Sequence, residues 1–551
     1  MRAKDLTNAN INENASFEVY KAGSQVLKET LLTEVIPDEY AQRHKSALLH
    51  IHDLEFYQTT YNCIGLSVHD LIGNQKRSFW GMLNALIRAI IELANMQSGG
   101  IGLIHFDTDV SYYITNETDD ELREAIREFF MNLNVNSRRG SERPYVTLNF
   151  GLDVSNNGRR ASRLLLEVFE SGDDRGNAFV FPNLVFKLKS GVNTEEESLN
   201  YDLYQKALQV TAKRMIPTYF NCDSSSNAAF LPNSIGIMGC RTRVAQNVNG
   251  SKGALNRGNI ACVTLNLVQM ALQSDGNERA FFELLDQTLQ AAEGLLLHRF
   301  HILCRSKYMK AYLTKDYYCG AETQDVHEML KNGTLSVGFI GLWDAISVMK
   351  RCSIDSLDKL HNYYNDAYKI IAHMRAYTDY LTEKNHLNFS LLASAAEGVT
   401  GRFAKADMES YGKNHSVCQK GFYTNSFHVP VNVPISYMEK VELENHFHEL
   451  CNGGSITYVE LNEIPDKNVQ AIQDIIDFAH NSDCNYIGIN FPLDNCRKCG
   501  FTGKISTECP CCGSTDIRRL RRVSGYLAEV DHFAEGKRKE LDMRLGIFDT
   551  I

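Results

Sequence analysis

The chain has 551 residues, 44% of them hydrophobic, with 67 acidic against 57 basic side chains and a formal net charge of −10. That is enough apolar material for one large core or two ordinary ones, and the charge balance argues against a dedicated nucleic-acid binder, which carries a clustered cationic face. Fifteen cysteines without a signal peptide, and no apolar run near the about 20 residues that span a bilayer, lead to the expectation of a soluble chain in a reducing cytoplasm.

Cap and turn residues fill Leu6–Asn14, and a helix is expected from about Ser16 to Leu32. Apolar positions recur at helical spacing in Phe79–Ala94, Asp119–Leu133, Asp202–Met215 and Glu278–Leu297. Between them lie short β-branched or aromatic runs, Tyr145–Phe150, Leu184–Leu188, Val263–Leu267 and Tyr486–Ile489. Strands alternating with long helices predict an α/β fold with mostly parallel strands. No internal repeat or low-complexity linker divides the chain. The expected organisation is therefore one large domain over 1–490, a cysteine-rich knob over 491–516 and a C-terminal loop region over 517–551.

The last sixty residues carry the most chemistry. Cys496-Arg-Lys-Cys499 and Cys509-Pro-Cys511-Cys512 form two CxxC knuckles nine residues apart. Four thiolates so spaced close a tetrahedron around Zn²⁺ and leave no open position, so the site is expected to be structural. The CxxC register selects Cys496, Cys499, Cys509 and Cys512 and leaves Cys511 out. The basic run Arg518-Arg519-Leu520-Arg521-Arg522 reads either as a solvated strand face or as a grip on an anionic substrate or partner. Directly behind it, Arg522-Val-Ser-Gly525-Tyr-Leu527 presents a glycine 26 residues from the end of the chain. A lone loop glycine is ordinarily a turn residue. Upstream, Ile235-Gly-Ile-Met-Gly-Cys240 is a glycine-punctuated stretch suited to a loop tip, and Asn62-Cys63 precedes an apolar run that equally suits a strand edge.

Taken together these segments resemble the anaerobic ribonucleoside-triphosphate reductases, the class III glycyl-radical enzymes. The likeness covers nearly the whole chain in order: Asn8–Asn12, His50-Ile-His-Asp-Leu54, Met238-Gly-Cys-Arg241, Arg257-Gly-Asn-Ile260, Ala395-Ala-Glu397, Tyr423–His428, Gly453-Gly454, the zinc knuckles and the Gly525 loop. The resemblance implies a ten-stranded α/β barrel of two five-stranded halves with a central finger loop, followed by a small zinc-binding and glycyl-radical region. It implies a radical stored on Gly525, a thiyl radical at Cys240, hydrogen donation by Cys63, and Asn62 orienting the ribose hydroxyls. Asn259 is then the residue that holds formate, and Glu397 an acidic residue near the ribose. Ala261-Cys262 departs from the small apolar pair expected after Ile260 and leaves a thiol-based reductant open.

The implied substrate is a ribonucleoside triphosphate, the reductant formate, and the activating partner an iron–sulfur enzyme that cleaves S-adenosylmethionine. A homodimer is expected, with ATP or dNTP effectors bound by helices of residues 75–155. The chain opens directly on the core signatures, so no preceding ATP-binding cone is expected. Phosphate contacts from the backbone of Gly453-Gly454-Ser455 are a further expectation, and His50, His52 and His428 read as structural hydrogen-bonders. No membrane and no nucleic acid are expected as partners. Two rivals predict different behaviour: another glycyl-radical enzyme (a formate-lyase or a dehydratase), and a zinc-ribbon protein that binds nucleic acid.

Overall fold

The computed structural model describes residues 9–10, 14–73, 75–313, 318–412, 415–522 and 524–546. Asn8, Ile11 and Asn12 of the opening motif, and Val523 of the glycine loop, lie outside them. Ten strands carry the architecture: β1 (Cys63–Leu66), β2 (Ile101–Leu103), β3 (Val146–Phe150), β4 (Asn183–Leu188), β5 (Thr218–Asn221), β6 (Arg257–Asn266), β7 (Thr334–Ile340), β8 (Asn388–Ala393), β9 (Thr457–Glu460) and β10 (Tyr486–Asn490).

Their spatial order is β8-β7-β6-β1-β2-β3-β4-β5-β10-β9. Within β1–β5 every neighbouring pair is parallel. So are β6 with β7, β7 with β8, and β9 with β10. The two five-stranded halves meet antiparallel, β1 against β6 and β5 against β10. A short strand, Leu49–Ile51, adds antiparallel to β6. The path's two ends, β8 and β9, are bridged by the turn before β9. There the Gly453 amide donates to the Leu391 carbonyl at 2.8 Å and the Ala393 amide to the Gly454 carbonyl at 3.0 Å. This is the barrel the resemblance implies.

Long helices cover the outside because a parallel sheet needs both faces buried. The helix expected from Ser16 spans Ala15–Thr30 and tightens into a π turn at Leu31–Val35. Phe79–Ala94 and Asp119–Leu133 are helices as read from the sequence. The helix begun at Glu278 runs on to Cys304, beyond the last strong apolar repeat, because its C-terminal turns bury Arg299, Phe300 and Leu303 against the barrel.

The barrel's interior is not wholly apolar. Between β5 and β6 the chain enters it as a finger whose two-residue strands Ile237–Met238 and Thr242–Arg243 pair antiparallel. Polar residues on inward strand faces hold it. Asn149 accepts from the Ile237 amide at 2.8 Å and donates to the Ile237 carbonyl at 3.0 Å, while Thr147 Oγ1 donates to the Gly239 carbonyl at 3.1 Å. At the tip Gly239 sits at φ +64°, and a Cβ on facing Gly100 would stand 2.7 Å from the Gly239 Cα, so the tip fits only without side chains there.

After β10 a small antiparallel sheet, Thr502–Gly503 with Leu493–Cys496, Ile517–Arg522 and Leu527–Glu529, carries the knuckles and the Gly525 loop. The terminal helix Glu535–Met543 then returns to the barrel and packs on helix Val399–Tyr411, where Gly401 and Gly536 touch.

Candidate active site

Asn62, Cys63, Cys240, Asn259 and Glu397 all line one cavity of about 200 Å³ inside the barrel. Cys63 opens β1 and stands directly across the antiparallel ladder from Asn259 on β6. Its thiol approaches Asn62 Oδ1 at 2.6 Å and accepts from the Gly100 amide at 3.2 Å. Asn62 is fixed from behind by Asp53, which takes its Nδ2 proton at 2.7 Å and the Ser98 hydroxyl at 2.8 Å. Burial works to raise the Asp53 carboxyl, but Arg299 and His52 hold it below its usual range. Asn259 donates to Ser336 Oγ at 2.7 Å and Thr334 Oγ1 at 3.0 Å.

Cys240 occupies the finger tip. Burial raises its thiol above the ordinary value, with Arg241 opposing, and burial pushes Cys63 up to about 12. Both thiols are therefore neutral S–H groups at physiological pH, suited to giving up hydrogen atoms rather than to thiolate attack. Cys262 also lines the cavity, and burial raises its thiol too.

Gly525 packs against Cys240. A methyl group built on it would meet Cys240 Cβ and carbonyl oxygen at 2.3 Å each and Cys240 Cα at 2.5 Å. Only a residue without a side chain fits. Arg522, 1% exposed, donates to the Gly525 carbonyl at 3.1 Å and to the Met215 carbonyl at 2.5 Å. It forms no ion pair among the described residues. The basic run is thus neither simply a solvated face nor an anion grip: Arg518 and Arg521 pair with Glu529 and Asp494, and Arg522 clamps the loop.

Glu397 follows β8 in a tight turn where Ala396 takes φ +31°. Its Oε2 accepts from Tyr526 at 2.7 Å and from the Ala9 amide at 3.0 Å, and its Oε1 from Ser524 at 3.2 Å. It faces the cavity as expected, yet its hydrogen bonds go to the glycine loop. Burial raises its carboxyl above the usual range while the Tyr526 hydroxyl opposes the shift.

Gly453 and Gly454 are committed elsewhere. Beyond closing the barrel, the Gly453 carbonyl accepts from the Arg243 amide at 3.0 Å and the Gly454 amide donates to the Cys451 carbonyl at 3.0 Å. The backbone phosphate contact expected there has no free Gly453 or Gly454 amide to use. The histidines act structurally: His52 meets Thr264 Oγ1 at 2.7 Å, His428 meets Glu444 at 3.3 Å, and Arg402 meets His50 at 3.2 Å. Sequence reading did not assign roles to Asp53, Arg522, Ser524 or Tyr526, or to Lys21, Lys28 and Arg139, which line the cavity in ion pairs with Glu18, Glu55 and Glu142. Asp53, Arg522, Ser524 and Tyr526 sit inside the quoted motifs, whereas Lys21 and Lys28 fall on the helix expected from Ser16 with no motif around them.

The four Sγ atoms of Cys496, Cys499, Cys509 and Cys512 lie within 4.8 Å of one another. Cys496–Cys512 and Cys499–Cys509 are separated by 3.6 and 3.5 Å. A Zn–S bond of about 2.3 Å gives tetrahedral edges of about 3.8 Å, so the quartet fits that ion. Cys511 is exposed beside it.

A family model described as anaerobic ribonucleoside-triphosphate reductase matches residues 7–546. The protein of that description from Escherichia coli K12 is 29% identical over 613 aligned positions, covering 98% of this chain and 84% of its own. The one from Enterobacteria phage T4 is 28% identical over 609 positions, covering 98% of this chain and 97% of its own. The solved anaerobic ribonucleotide reductase of Thermotoga maritima, in complex with dATP and CTP, superposes with a TM-score of 0.73 at 16% identity, covering 94% of this chain and 91% of that one. That likeness is one of fold. No described helix is long and apolar enough to cross a membrane.

Proposed function

We propose a radical path for this chain, which belongs to the anaerobic ribonucleoside-triphosphate reductase family and is an oxidoreductase acting on ribonucleotides. The observation that carries the path is the contact of Gly525 with Cys240 on the wall of a cavity that also holds Cys63. A partner activase, using an iron–sulfur cluster and S-adenosylmethionine, removes one α-hydrogen from Gly525. Glycine suits this because the resulting carbon radical is uncrowded and spreads over the flanking amide and carbonyl. The Gly525 radical takes the hydrogen atom of the Cys240 thiol, and the thiyl so formed takes the 3′-hydrogen of the ribose.

The 2′-hydroxyl then leaves as water with a proton, and Cys63 delivers a hydrogen atom to C2′. Asn62, braced by Asp53, orients the hydroxyls. Formate beside Asn259 supplies the two electrons, so that ribonucleotide, formate and one proton give deoxyribonucleotide, carbon dioxide and water. At the end the 3′-hydrogen returns from Cys240 and the radical returns to Gly525. The substrate's triphosphate meets Lys21, Lys28 and Arg139 of the cavity lining, which exchange their pairing with Glu18, Glu55 and Glu142 for the phosphates.

The protein's part is positioning and exclusion, because a carbon radical meeting water or dioxygen is lost. Zn²⁺ in the Cys496, Cys499, Cys509, Cys512 quartet supplies no chemistry to this path; it ties the strands that aim the loop. The chain works as a homodimer in the cytoplasm, with nucleotide effectors at helices of residues 75–155.

A thiol-fed reductase has one observation in its favour, the presence of Cys262 in the same cavity. The test is turnover of CTP after anaerobic activation with ¹³C-formate, with pyruvate and glycerol as alternative substrates. Labelled carbon dioxide formed in step with dCTP supports the proposal. Turnover with a redoxin and no formate overturns the choice of reductant, and turnover of pyruvate or glycerol overturns the substrate.

A further inference from the structure

We infer that Glu397 is a positioning residue that fastens the radical loop shut, an inference that rests on the radical reading above. One half-buried carboxyl accepts from the residues on both sides of Gly525, Ser524 at 3.2 Å and Tyr526 at 2.7 Å. The opposite side of the loop is held by Arg522 through the Gly525 carbonyl at 3.1 Å. The radical-bearing carbon is therefore pinned from three directions onto the Cys240 backbone.

The loop is also a partition. Tyr526 lines the substrate cavity, whereas Ser524 lines a second, smaller cavity of about 70 Å³ behind it, walled by Asn425, His428, Arg544 and Leu545. The loop thus presents one residue to each space. The Tyr526 ring packs edge-on to Tyr145 at 5.2 Å and stacks on Phe181 at 5.9 Å, so the seat is sealed by aromatic surface on its far side.

Lone-pair accounting separates this role from that of a base on the ribose. A carboxylate offers about four acceptor sites, and Ser524, Tyr526 and the Ala9 amide take three of them. One site is left for a ribose hydroxyl, and any further contact would displace Ser524, Tyr526 or the Ala9 amide. The carboxyl also sits at the start of helix Val399–Tyr411, after the strained Ala396, a placement that fixes its direction.

The test is amide hydrogen exchange of the unactivated full-length protein, followed through peptides spanning Arg521–Glu529. Two variants are compared, Glu397→Ala and Ser524→Ala/Tyr526→Phe; the second keeps Glu397 and removes only two hydroxyls, so barrel peptides serve as the folding control. Both are expected to speed exchange in the loop by about tenfold or more, with the triple variant no faster than the faster of the two, since the bonds from Ser524 and Tyr526 to Glu397 are lost in each. Unchanged loop exchange in Glu397→Ala, or additive effects in the triple variant, overturns the inference.

After activation, Ser524→Ala/Tyr526→Phe is expected to lower kcat and shorten the life of the glycyl spin signal while leaving KM for CTP in place. Full turnover and an undiminished signal in that variant mean that Glu397 acts on the substrate alone. Because the exchange measurement needs no radical, its outcome stands apart from whether a radical forms at Gly525.

Discussion

Replacing Gly525 with alanine tests the geometry before any radical is made. The added methyl would meet Cys240 Cβ at 2.3 Å, its carbonyl oxygen at 2.3 Å and its Cα at 2.5 Å, against about 3.4 Å for ordinary contact. The deficit is about 1 Å. Two of the three atoms are backbone, so no rotamer change relieves it, and the loop must part from the finger tip. Overpacking of this size costs about 1–3 kcal/mol. Taken from the loop's closed state alone, that raises the open population about 5- to 160-fold. The assay is the rate at which Cys240 is alkylated in unactivated protein, followed by peptide mass spectrometry at fixed pH. Cys240 labelling is expected to accelerate by that factor, while Cys304, at the end of the outer helix Glu278–Cys304, keeps its rate. Equal Cys240 rates in the native and Gly525→Ala proteins would refute the contact on which the mechanism depends.

Three further outcomes follow from the same geometry. Cys240→Ala abolishes deoxynucleotide formation yet accumulates the Gly525 radical, since the activase acts on the glycine directly; loss of the spin signal in that variant contradicts the order of transfer. Cys496→Ser lowers bound zinc from one ion per chain and reduces radical yield, because the strand ending at Cys496 pairs with Ile517–Arg522 next to the loop; full activation of zinc-free protein counts against it. Burial holds His44, His50, His52, His428 and His448 below the usual imidazole value, His448 at about 3. Their neutral state contributes stability that is present above about pH 6.5 and lost as pH falls toward the folded values, each on the order of 1 kcal/mol per pH unit. A denaturant midpoint that does not fall between pH 7.5 and 5.5 contradicts this.

Much of the barrel is legible in the chain because its strands are buried on both faces and its helices on one. Val146–Phe150, Asn183–Leu188 and Tyr486–Asn490 fall within a residue of the runs read from β-branched and aromatic content. The closed order is not legible, because pairing of Cys63 with Asn259, or of Tyr486 with Phe220, joins residues about 200 or more apart that no local pattern links. The thiols and Gly525 were found through motifs, and the cavity brings Cys63 and Cys240 together as those motifs imply. Glu397 shows the limit of that reading. Its place in Ala395-Ala396-Glu397 says that a carboxyl is needed, but its attachment to Ser524 and Tyr526 exists only once residues 127 and 129 positions apart have folded together. Arg522 is similar: in sequence it is one of four arginines, and only burial under Gly525 separates it from Arg518 and Arg521.

The most direct measurement is electron-spin resonance of the anaerobically activated protein, prepared with ordinary glycine, with α-deuterated glycine and as Gly525→Ala. The account predicts a doublet from the remaining α-hydrogen that collapses on deuteration and is absent in Gly525→Ala. An unchanged signal in Gly525→Ala, or reduction of CTP by native protein that never shows the doublet, places the unpaired electron elsewhere and contradicts the account.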